Sequence, residues 1–108
     1  MTVYWLSYRI EEDDTGDERR RALLDMVKLY ATSNSVWHET TSFVVFDSDR
    51  GIDTLSGQFK LAIEPKTDHF LIRRMESQAA RICGHIKDIR IFQLMLDKNG
   101  KTYLKQVP

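Results

Sequence analysis

An α+β sandwich, with one layer of helices on one sheet, is the fold class this sequence predicts. Three observations predict it. Residues 2–10 are apolar or aromatic almost throughout and hold no Gly or Pro, as in a strand covered on both faces. Two later stretches, beginning near residues 17 and 52, gather their apolar residues on one face of a helix, the first of them at i, i+3, i+4 and i+7. Strand-like segments separate and follow those two stretches, giving the order β-α-β-α-β-β and then a tail.

The first strand organises the rest. Tyr4, Leu6, Tyr8 and Ile10 fall on one face; Val3, Trp5, Ser7 and Arg9 fall on the other. A strand this close to the start of the chain is expected to be central, since termini fray unless a sheet holds them. Large groups on both faces predict that both are covered. The even face suits the helices, and the odd face suits a second sheet or a second subunit.

Residues 11–17 carry Glu11, Glu12, Asp13, Asp14 and Asp17 around Thr15 and Gly16, which reads as a loop. Asp14, Thr15 or Asp17 suits the cap of a helix over residues 17–31. Leu23, Met26, Val27 and Tyr30 form its apolar face, and Arg19, Arg20 and Arg21 are expected to spread mostly toward solvent. Residues 36–46 read as one long strand, polar in its first half and core in its second. A turn at residues 47–51 leads into a second helix, 52–63, with Ile52, Leu55, Phe59, Ala62 and Ile63 on one face. Gly57 weakens it by about 1 kcal/mol relative to Ala, and Pro65 stops it. A third strand reads over residues 70–75 and a short one over 80–83, closed by Gly84. Asp88 suits the cap of a short helix over residues 89–95. Residues 96–108 form a tail, with a tight turn at Asn99-Gly100. These elements assemble into a ferredoxin-like split βαβ sandwich, with one antiparallel sheet and two main helices on one face.

The chain's 108 residues make one domain, with a core that needs no staples. The hydrophobic fraction of 42% and charged fraction of 30% are those of a soluble globular protein. A formal net charge of +0 argues against a dedicated nucleic-acid binder while leaving room for a local basic patch. Cys83 is the lone cysteine, which suits a reducing cytoplasm. No signal peptide and no membrane span are expected.

Several short patterns resemble the CRISPR-associated small adaptation subunit and its relatives, the VapD-type toxin ribonucleases; the chain is also similar to SinR-like bacterial proteins grouped nearby. Tyr8-Arg9-Ile10 stands where that superfamily has Tyr-Asp-Ile. Arg19-Arg20-Arg21 matches its basic helix start. Residues 42–47, Ser-Phe-Val-Val-Phe-Asp, match its second strand; residues 68–74 and Ile82-Cys83-Gly84 match later ones. The resemblance spans residues 3–84. It implies a homodimer with the two sheets face to face, covering Val3, Trp5 and Ser7. The aspartate that binds metal in the nucleases of that superfamily lines up with Arg9. Arginine repels a cation, so nuclease activity is not carried over, and weak or absent divalent-cation binding is expected near the first strand.

Each candidate site has an ordinary structural explanation beside it. The acidic residues Glu11 to Asp14 with Asp17, or Asp47 with Asp49, have the chemistry of metal ligands, and equally that of a solvated loop and of helix caps. His38, His69 and His85 lack ligand spacing. Cys83 needs an activating base, and a buried thiol is the simpler reading. Arg9, Arg19, Arg20 and Arg21, with Lys28, Arg73, Arg74 and Arg81, suit phosphates or surface ion pairs. No Gly-rich phosphate loop, Ser-His-Asp pattern or zinc spacing is present. The sequence therefore predicts no catalytic residue, metal or cofactor. It predicts a non-catalytic, dimeric binding or scaffold module whose partner is weakly bound nucleic acid, through Arg9, Arg19, Arg20 and Arg21, or another protein. The alternative is a toxin-like, metal-dependent endoribonuclease using Asp47 or the Glu11–Asp14 loop.

Overall fold

The structure is a computed structural model that describes residues 2–32, 36–39, 41–75, 79–85 and 103–108. Its elements are β1 (Thr2–Arg9), α1 (Gly16–Tyr30), β2 (Val36–Trp37), β3 (Phe43–Ser48), α2 (Ile52–Lys60), β4 (His69–Arg74), β5 (Ala79–Gly84) and β6 (Tyr103–Gln106). The six strands form one sheet in the order β2-β3-β1-β4-β5-β6. Strand β1 is antiparallel to β3 on one side and to β4 on the other, so β3 and β4 run parallel with β1 between them. Helix α2 joins those two strands.

The even face of β1 is buried as its alternation predicts. Tyr4, Leu6, Tyr8 and Ile10 pack with Val44 and Phe46 of β3, Phe70 and Ile72 of β4, and Cys83 of β5. The helices cover this face with Leu23 and Val27 from α1 and Ile52, Leu55 and Phe59 from α2. Aromatic rings tie the layers together. Tyr4 stacks on Phe46 at 5.6 Å, and Phe59 meets Phe46 and Phe70 edge-on at 5.9 and 6.4 Å. The Tyr4 hydroxyl donates to the Arg50 carbonyl at 2.8 Å, so the buried ring keeps its polar end satisfied.

The sheet differs from the expected one in three ways. It is mixed, not wholly antiparallel, because β6 pairs with β5 in parallel. Part of the stretch expected as a tail is thus a strand. Second, residues 36–46 are not one strand. Val36 and Trp37 form β2, which turns back so that Val36 opposes Phe46 and Trp37 opposes Val45. His38, Glu39, Thr41 and Ser42 lie outside both strands, and Trp37 meets Phe43 edge-on at 6.0 Å. Third, α2 ends at Lys60. Residues 61–63 continue as tight turns, with Leu61, Ala62 and Ile63 each donating to the carbonyl three residues back. The expected helix at residues 89–95 and the Asn99-Gly100 turn lie outside the described residues. Among the described residues, no helix is long and apolar enough to cross a membrane.

Gly84 closes β5 at φ +106°, a conformation costly for any residue with a Cβ. An added Cβ would also stand 1.9 Å from the Asp68 carbonyl oxygen. That carbonyl accepts from His85 N–H at 2.8 Å, so the glycine lets β5 end against the start of β4.

Candidate functional site

The acidic loop and the basic helix start, which look like rival sites in the sequence, are one ion-pair network. Asp68 lies in the connection from α2 to β4 and is fully buried. One of its carboxylate oxygens accepts from Glu11 N–H at 2.9 Å, Thr67 Oγ1 at 3.2 Å and Arg19 Nη2 at 3.3 Å. The other accepts from Arg19 Nε and Glu64 N–H, both at 2.8 Å. Arg19 also donates to both Asp13 oxygens at 3.0 Å, to the Glu11 carbonyl at 3.2 Å and to the Thr15 hydroxyl. Burial works to raise the Asp68 pKa. The Arg19 guanidinium and the Glu64 and Glu11 N–H groups outweigh it, and the carboxyl titrates below its ordinary range. Arg19 is held charged by Asp13 and Asp68.

The expectation that Arg19 faces solvent is therefore corrected: its side chain is only 15% exposed and joins the loop before α1 to the loop before β4. Arg20 is half-buried, donates to Asp17 at 2.7 Å and reaches the Ile10 carbonyl at 3.3 Å. Arg9, exposed at the end of β1, pairs with Glu11 at 3.1 Å. Arg21 is exposed on α1. Three of the four arginines read as phosphate contacts thus have a carboxylate within bonding distance. Of the carboxylates read as metal ligands, Glu11, Asp13 and Asp17 are those same partners, and Glu12 and Asp14 are exposed. Among the described residues, no three His, Cys, Asp or Glu side chains gather as a metal site.

Asp47 and Asp49 diverge. Asp47 opposes Val3 on the face away from the helices, while Asp49 is exposed and bonds the Thr32 hydroxyl. The three histidines do not form one site, although His69 and His85 are neighbours. His38 is exposed, and His69 Nδ1–H donates to the His85 carbonyl at 3.1 Å. Burial, with Arg9 and His85 nearby, holds the His69 pKa below its ordinary value. Cys83 shares the helix-bearing face with Phe70 and is buried in the core. Burial pushes its thiol pKa up, the reverse of what a nucleophile needs.

The other face of the sheet gathers the residues expected at a subunit interface. Residues opposed across a ladder share a face. One row therefore runs Trp37, Val45, Trp5, Arg73 and Ala80 across β2, β3, β1, β4 and β5. The next row holds Phe43, Ser7, Leu71 and Ile82. Trp5 meets Phe43 at 5.9 Å, and Phe43 meets Trp37, which is 43% exposed. Val3, Trp5, Ser7, Phe43, Val45 and Leu71 are each half-buried. Among the described residues, the two long helices lie on the opposite face and do not cover these six; at the β5 end of the same rows, Ala80 and Ile82 are buried.

The period-two pattern of β1 predicted Val3, Trp5 and Ser7 on this surface. Trp37 and Phe43 were missed, since their place depends on the hairpin. Asp68 was missed too; its only local signal is an acidic residue at the mouth of an apolar strand. No protein-family profile, curated protein or solved structure matches this chain.

Proposed function

We propose that this chain is a non-catalytic binding module that works as a homodimer, with the face of its sheet opposite α1 and α2 buried, around Trp5, Phe43 and Trp37, against the same face of a second copy. The observation that carries the reading is the aromatic cluster Trp37–Phe43–Trp5, set among Val3, Val45 and Leu71 on a face that neither helix covers. A contiguous apolar patch of this kind marks an interaction surface. A self-complementary patch is what a two-fold dimer uses. The first four strands and two helices support a ferredoxin-like split βαβ reading: their order is β2-β3-β1-β4, and each helix joins two strands with another strand between them. The resemblance to CRISPR-associated small adaptation subunits and VapD-type proteins supports the same face as the contact.

Four strands about 4.8 Å apart, each of about six residues at ~3.3 Å, span roughly 19 by 20 Å. That is small beside the ~800 Å² per partner of a standard interface, so the dimer should dissociate on dilution. A nucleic-acid partner on Arg9, Arg19, Arg20 and Arg21 is the weaker reading, because a phosphate would compete there with Glu11, Asp13, Asp17 and Asp68.

Sedimentation velocity over a concentration series tests the proposal. The wild type should move from monomer to dimer as concentration rises. Trp5→Glu should remain monomeric and Arg21→Glu should behave as wild type. A wild type monomeric throughout, or a Trp5→Glu variant that dimerises as well, would refute it.

A further inference from the structure

Across the strands, the row through Trp5 runs Trp37, Val45, Trp5 and Arg73 on β2, β3, β1 and β4. Its next member, Ala80 on β5, is buried in the single chain, as is Ile82 in the row beside it. The members left half-buried or exposed are therefore centred between β3 and β1, with β2 and β4 flanking them.

Two aligned sheets packed face to face keep their strands within about 30° of each other. When the sheets are copies related by a two-fold, the axis lies between them and runs either along the strands or across them. An axis along the strands lays β3 of one copy on β1 of the other, and β2 on β4. An axis across them lays each strand on its own copy.

The side chains favour the first. It sets Val45 against Trp5 of the partner subunit and Phe43 against Ser7 of the partner subunit, a large group on a small one in both rows, as close packing requires. It also sets Arg73 over Trp37 of the partner subunit. Arg73 is half-buried beside Trp5, and a second copy takes it further from water, where a guanidinium needs a partner. Trp37 is exposed on the edge strand, and its Nε1–H holds the Glu39 carboxylate at the ring. The β2 edge thus offers a cation both a π face and a negative charge. An axis across the strands offers Arg73 neither, and brings it close to its own copy on β4.

We propose, resting on the homodimer inferred above, that its two-fold axis runs along the strands between β3 and β1, and that Arg73 of each copy packs on Trp37 of the partner subunit beside the Glu39 carboxylate. Symmetry makes two such contacts, one at each end of the row.

Sedimentation equilibrium of full-chain variants tests the contact, with folding of each variant checked by circular dichroism. Trp37→Lys should weaken the dimer about tenfold or more, because two cations then meet at each end of the row. Trp37→Glu, which offers Arg73 a carboxylate in place of a ring, should dimerise about tenfold more tightly than Trp37→Lys. Adding Arg73→Glu to Trp37→Lys restores opposite charges and should recover the affinity of Trp37→Glu to within about threefold. A dimeric wild type in which Trp37→Glu and Trp37→Lys weaken association alike, or a double variant that recovers nothing, would overturn the contact and leave the dimer standing. A wild type monomeric at every concentration would overturn the dimer and this contact with it.

Discussion

Asp68 is the residue on which local order depends most. Its carboxylate accepts from two backbone N–H groups, a hydroxyl and two arginine nitrogens, with no exposure to water. Removing it leaves a guanidinium and two buried donors without their acceptor, and breaking such a pair costs about 3 kcal/mol or more. Asp68→Ala is therefore expected to unfold at least ~3 kcal/mol more easily in urea. Arg19→Ala should show a substantial part of that loss, while Arg21→Ala should unfold as wild type does. The pH dependence has a definite sign. The folded pKa of Asp68 lies below its unfolded value of about 3.9. Its stabilising contribution is present above that value and disappears as pH falls through the folded pKa. Urea midpoints should fall below about pH 4, and less steeply in Asp68→Asn; equal slopes would contradict the assignment.

At the scale of elements, Gly84 carries a prediction of its own. Gly84→Ala forces a Cβ onto positive φ and into the Asp68 carbonyl, so it should destabilise by roughly 2–4 kcal/mol in thermal or urea unfolding. The elements most legible in the sequence are those whose packing follows local period. The even face of β1 and the stripes of α1 and α2 are core because alternation and 3.6-residue spacing put one side of each inward. Elements fixed by distant partners were not legible. Thr40 and Thr41 have strand propensity, so residues 36–46 look continuous; the break depends on Trp37 meeting Phe43 across a hairpin. Strand β6 depends on a parallel pairing with β5 that no local pattern encodes. The Arg19–Asp68 bond joins residues 49 apart, and in the sequence Arg19 looks like its neighbours Arg20 and Arg21. The candidate interface was half legible for the same reason: Val3, Trp5 and Ser7 follow from alternation, whereas Trp37 and Phe43 need the fold.

For the whole molecule, the two faces of the sheet differ. One carries α1, α2 and the core; the other sets Trp5, Phe43 and Trp37 side by side, covered by neither α1 nor α2. Charge does not supply an alternative partner at the start of α1, where arginines and carboxylates are paired with each other. Association of two copies through the face opposite α1 and α2 is the central claim. The most direct measurement is an isotope-filtered NOE experiment on a mixed sample of ¹³C-labelled and unlabelled chains, at a concentration where sedimentation shows dimer. Intermolecular contacts should appear among Trp5, Val45, Phe43 and Leu71. Intermolecular contacts arising from α1 or α2 instead, or none at all, would contradict the claim.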